Sequence, residues 1–161
     1  MLGQTLWGDD VSDTSSDNPN NYPIGDLREV NDGTFGHQVF RFIKLDTGVA
    51  GVKGVPIKVK DGATTLALTV GVTGVDATAT VKVLGVPQAP VTAGYYFWGL
   101  CDGKGSFMSG LGGSTANVAQ KIVTGPQAGF TDGVIGPDEL PVVAHETKAA
   151  GSTFTGTIHA L

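Results

Sequence analysis

Cys101 is the only cysteine in 161 residues, which excludes a disulfide within the chain and leaves nothing that points to an oxidising compartment. It reads as a small buried hydrophobe. Glutamate occurs three times, at Glu29, Glu139 and Glu146, and leucine 11 times, so the residues that favour helices are scarce and a helical protein is excluded. No apolar run approaches the roughly 20 residues of a membrane helix. The start also lacks the basic and apolar regions of a signal peptide, because Met1-Leu2-Gly3-Gln4 leads quickly to Asp9 and Asp10. The expectation is a chain made, folded and kept soluble in the cytoplasm. Its net charge of −5 argues against general binding to nucleic acid or to an anionic membrane, both of which require a positive field.

Catalytic signatures are missing as well. The glycines never fall as G-x-G-x-x-G or G-x-x-x-x-G-K-[ST], no serine sits in G-x-S-x-G, and there is no D-x-[DN]-x-[DN]-G calcium loop. His37, His145 and His159 have no metal-ligand spacing between them, so they read as surface groups. The expectation is a protein that is not an enzyme, with no catalytic residues, no cofactor and no metal.

What the chain does contain is 19 valines, 18 threonines, 25 glycines and 8 prolines, a composition for strands and turns in one domain of ordinary size. From residue 35 onward, apolar residues alternate with period two. Phe40 and Phe42 share one face of residues 38–45, with Val39, Arg41 and Ile43 on the other. Val55, Ile57 and Val59 alternate next, then Leu66, Leu68, Val70 and Val72, then Ala77, Ala79, Val81 and Val83. Further strands are expected at 95–101, at 107–108, and at 118–123, 140–145 and 153–160. Residues 115–121 are the one stretch able to supply a helical turn. Asp-Gly pairs at residues 32, 61, 102 and 132 punctuate the series and suit tight turns, with Asp102-Gly103 placed as a hairpin before Phe107. The fold expected is all-β, a mainly antiparallel sandwich or barrel with a flexible N-terminal arm.

The arm, residues 1–21, is acidic. Residues 1–34 carry a net charge of −6, and residues 35–60 carry +4. Residues 8–22 hold one aliphatic side chain among acids, serines and asparagines, which predicts a mobile segment in front of a β domain spanning 22–161. Leu2, Leu6 and Trp7 at its far end read either as an anchor for a neighbouring molecule or as a patch folded back on its own domain. The second unusual feature is Tyr95, Tyr96, Phe97 and Trp98 in succession, which puts two rings on each face of a strand. Cover by the same chain, contact with a subunit, and sugar stacking by Tyr96 or Trp98 are the three readings.

The stretch LGVPQAPVTAGYYFWGLCDGKG, through Gly85, Val86, Gln88, Val91, Gly94, Tyr96 and Trp98, resembles a pattern in capsid decoration (auxiliary head, or cement) proteins of tailed bacteriophages. An upstream echo lies in YPIGDLREVNDGTFGHQVFRFIKLDTGVAGVKGV, and together they cover about residues 22–108. Phe97 stands where glycine is more usual, and Gly99-Leu100-Cys101 replaces a more polar continuation. The resemblance implies a jelly-roll or β-tulip-like domain on the outer surface of a virion, assembled in a bacterial host. It also implies the major capsid protein as partner, self-association as a homotrimer, and interface residues Leu2, Leu6 and Trp7 in the arm with Tyr95, Tyr96 and Trp98 in the aromatic segment. Two other classes remain beside it: a carbohydrate-binding head-fibre or lectin-like module, and a small β-fold hydrolase using His145 with an aspartate.

Overall fold

The computed structural model describes residues 11–48, 50–59, 71–73, 83–110, 112–117, 119–123, 129–132 and 142–159. Eleven strands occur among them: β1 (Thr14–Ser15), β2 (Leu27–Asp32), β3 (Gly36–Lys44), β4 (Ile57–Val59), β5 (Gly71–Thr73), β6 (Val83–Pro87), β7 (Tyr96–Met108), β8 (Ala119–Val123), β9 (Gly129–Asp132), β10 (Val142–Ala144) and β11 (Thr153–His159). No described residue is helical, and the expected turn of helix at 115–121 gives way to β8. Every pairing is antiparallel, in the order β5-β4-β6-β7-β11-β10-β8-β9, with β2 on β3 and both β1 and β3 on β7. The fold is all-β, as the valine and threonine content predicts. Of the expected strands at 66–72 and 77–83, only residues 71–72 and 83 are described, and Asp61-Gly62 lies outside the described residues.

β7 organises the sheet. It pairs with β3 over residues 96–103, with β1 at 96–97, with β6 at 99–100 and with β11 over 102–108. Because Phe97, Leu100, Asp102 and Gly103 each have partners in two strands, the centre of β7 is hydrogen-bonded along both edges. Its faces are used as the alternation predicts. Phe40, Phe42, Trp98 and Leu100 enter one core with Val86, Phe107, Val142, Ala144, Phe154 and Ile158. On the opposite face Ile43, Leu45 and Phe97 meet Ile57 of β4, Leu84 of β6 and Val91. Two cores on two faces of the same strands explain why these segments are apolar at nearly every position, and they give the layered packing of a sandwich.

Asp102-Gly103 does not make the expected hairpin. β7 continues through it to Met108, and the register against β3 shifts between Val39 and Phe40, which face Asp102 and Leu100 and leave Cys101 without an opposite residue. Gly103 has φ +102°, and a Cβ there would lie 2.5 Å from the His37 carbonyl oxygen. The dipeptide serves a bulge that lets two backbones approach, a use with the same local requirement for positive φ as a turn.

Asp32-Gly33 does form a hairpin, between β2 and β3. The Asp32 carboxylate accepts hydrogen bonds from the Phe35 N–H at 2.9 Å and from the Thr34 N–H, which hold its pKa below the ordinary 3.8. Glu146 is likewise held below 4.5, by the Thr155 N–H at 2.8 Å and by Lys148 at 3.1 Å. A depressed folded-state pKa gives stability that is present above the ordinary value and is lost as pH falls through the folded one. Denaturant titrations between neutral pH and pH 3 should therefore show a smaller acid loss in Asp32→Asn/Glu146→Gln than in the parent. Parallel stability curves for the two proteins would show that these bonds contribute nothing.

Candidate functional site

The segment expected to move freely lies on the sheet from Val11 onward. Thr14 and Ser15 pair with Phe97 and Tyr96, and Val11, Tyr22 and Ile24 pack against the first core. Polar composition does not prevent this, because the side chains brace the segment locally. Asn18 donates from Nδ2 to the Tyr22 carbonyl at 2.7 Å, and its Oδ1 accepts from the Tyr22 N–H at 3.0 Å. Ser15 donates to Asp17 at 2.7 Å. Such Asx-type bonds fix a turn without an apolar core of its own. The strap thus formed, residues 11–26, carries Tyr22 onto the aromatic run.

Tyr22 meets Phe42 and Trp98 edge to face, each at 5.5 Å between ring centres, and Phe42 lies 5.0 Å from Trp98. Arg28, from β2, places its guanidinium 4.8 Å above Trp98 and 5.5 Å from the Tyr22 ring, and donates to the Tyr22 hydroxyl at 3.3 Å. Edge-to-face rings and a cation over an indole are each favourable by roughly 0.5–1.5 kcal/mol. The contacts pin the strap to β3 and β7. They also bury Trp98, which is 2% exposed, and its indole Nε1 has no hydrogen-bond partner among the described residues.

The expected aromatic interface is therefore corrected at Trp98, which the strap covers so that it offers no surface to a subunit or a sugar. Tyr95 and Tyr96 are half-buried. The Tyr96 ring is stacked on Phe42 at 5.7 Å and has the Lys44 ammonium 4.8 Å above it, so both contacts occupy the ring a sugar would need. Leu2, Leu6 and Trp7 lie outside the described residues. Tyr22 and Arg28, which sequence reasoning passed over, hold the site together. The signal for Tyr22 was the Asn-Pro-Asn-Asn-Tyr-Pro turn chemistry ahead of β2; Arg28, inside β2, left none.

The three histidines occupy exposed positions. His37 Nε2 is 3.4 Å from Glu29, His159 Nδ1 is 2.8 Å from Asp102, and His145 Nε2 is 2.9 Å from the Thr157 hydroxyl. His145 thus meets a threonine, not the aspartate that a hydrolase reading asks of it. No group of three His, Cys, Asp or Glu gathers as a metal set among the described residues. Cys101 is buried, its thiol donates to the Val39 carbonyl at 3.3 Å, and desolvation pushes its pKa up to about 11, so it stays a protonated thiol at neutral pH. Comparison with protein-family models and with curated proteins gives no match.

Proposed function

We propose that this is a structural, non-catalytic decoration protein of a tailed-phage head, which binds the outer face of the shell and clamps neighbouring capsid subunits. The observation that carries the reading is the docked strap. It holds Val11 against the first core, just before β1 pairs with the β7 edge, so the segment bearing Leu2, Leu6 and Trp7 starts from a defined point on the domain. Ten residues from that point reach at most about 35 Å, enough to cross to an adjacent subunit. An apolar anchor on a short lead, carried by a rigid β domain, suits a clamp. Many such weak contacts over one shell gain from effective concentration, and binding the assembled shell alone stabilises it by linkage.

The test compares full-length protein with a deletion of residues 1–10 and with Trp7→Ala, each added to purified capsid shells that lack the protein. Burial of an anchoring tryptophan is worth about 2 kcal/mol or more, so both variants should bind at least tenfold more weakly while keeping the parent's thermal midpoint. Removing residues 1–21 should in addition lower that midpoint, because Val11 and the β1 ladder go with it. Full shell occupancy by the 1–10 deletion would sink the clamp, and so would a full-length protein that ignores shells.

A further inference from the structure

Among the described residues, β2 has a neighbour on one side only. Its ladder with β3 runs from Leu27 opposite Arg41 to Asp32 opposite Gly36, and no other described strand pairs with it. The Phe42 N–H donates to the Asp26 carbonyl at 2.8 Å, which sets the parity of the ladder. Arg28, Val30 and Asp32 therefore turn their backbone groups toward β3, while Leu27, Glu29 and Asn31 turn theirs outward. These last three residues are exposed, Leu27 by 51%. The strand reads Leu-Arg-Glu-Val-Asn-Asp, with neither the proline nor the lysine that commonly protects an edge. It is a strand template that no other described strand covers.

The charges along it select the occupant. If a second copy adds its own β2 antiparallel about a two-fold axis, outward groups must bond to outward groups, which leaves few registers. One centred on Glu29 sets the two carboxylates face to face, and one centred on Arg28 does the same with two guanidinium groups. Like charges directly opposite are destabilising. The register centred on Val30 has no such conflict: Glu29 faces Asn31, Arg28 faces Asp32 at both ends, and Val30 meets its symmetry mate. Val30 already packs against the first core, so the valine pair extends an apolar surface that exists in one copy. We propose that two copies of the chain join through β2, antiparallel about a two-fold axis at Val30, and continue the sheet from one copy into the other. Such a contact is isologous and closes at two copies, so the homotrimer implied by the resemblance needs some other surface. The inference does not depend on capsid binding.

Light scattering should give twice the 16.4 kDa of one chain for the parent. Glu29→Pro removes an outward N–H and leaves the ladder to β3 intact, so it should return the mass to one chain with an unchanged circular dichroism spectrum. Facing residues of a non-hydrogen-bonded pair have Cα atoms about 4.5 Å apart, within disulfide range. Val30→Cys should accordingly form covalent dimers on mild oxidation, and Glu29→Cys should not. A parent that stays at one chain mass at all concentrations overturns the proposal. So does a Glu29→Pro protein that keeps twice that mass, or cross-linking of Glu29→Cys in preference to Val30→Cys.

Discussion

Gly103→Ala should be among the most damaging single-methyl additions in the molecule. Two effects combine at this position. The backbone has φ +102°, where a side chain costs roughly 1–3 kcal/mol. The new methyl would also stand 2.5 Å from the His37 carbonyl oxygen and 3.0 Å from the Gln38 Cα, both in β3. Neither is the free end of a flexible side chain, so relief requires moving β3 against β7, and overpacking of this kind typically costs a further 1–3 kcal/mol. Together these are a large part of the 5–15 kcal/mol by which a domain is usually stable. The urea midpoint should fall steeply, whereas Gly33→Ala, which meets no atom within 4 Å, serves as the control. Equal midpoints for the two variants would show that the bulge yields easily.

Phe42→Ala should cost about 3–5 kcal/mol, the usual range for emptying a buried aromatic site. Its side chain is fully buried and touches the rings of Tyr22, Trp98 and Tyr96. The loss reaches beyond a cavity, because Tyr22 is one of the strap's holds on the sheet and its ring leans on Phe42. Protease cleavage within residues 11–22 should therefore rise in the variant by more than the global loss of stability accounts for. If cleavage there rises only in step with global unfolding, the strap is held by other contacts.

The two positions mark what was legible in the sequence. Phe40 and Phe42 against Val39 and Ile43 was a clean alternation, and because both faces of β3 are buried, the pattern survives as apolar on each side. The pairing of Tyr96 with Trp98 on one face and Tyr95 with Phe97 on the other followed from strand geometry alone. Gly103 was misread because Asp-Gly supplies positive φ to a hairpin and to a bulge alike, and only the partner strand decides between them. Trp98 is covered by its own chain, one of the three readings the aromatic run allowed, and this removes it from the expected interface. Its cover comes from a strap of serine, aspartate and asparagine, which composition assigns to solvent, whereas the structure braces that strap with side-chain bonds to its own backbone and sends one tyrosine inward. β2 left little trace, since Leu27, Glu29 and Asn31 on its outer side do not alternate cleanly in polarity with Arg28, Val30 and Asp32.

The crowding of partners around β7 bears on the order in which the chain can acquire its shape. This strand contacts β1 and β3 from the first third of the sequence, β6 just before it, and β11 at the far end. During synthesis β7 leaves the ribosome with its partners on one side of the sequence available and β11 still unmade. The edge of Asp102 to Met108 that faces β11 must then wait with its backbone groups bonded only to water until residues 153–159 appear. Closing such distant pairs is slow compared with local structure. An unpaired strand that waits also invites the wrong partner. β11 therefore sets when the central strand is complete, and a variant that lacks residues 153–159 leaves the hub of the sheet half built.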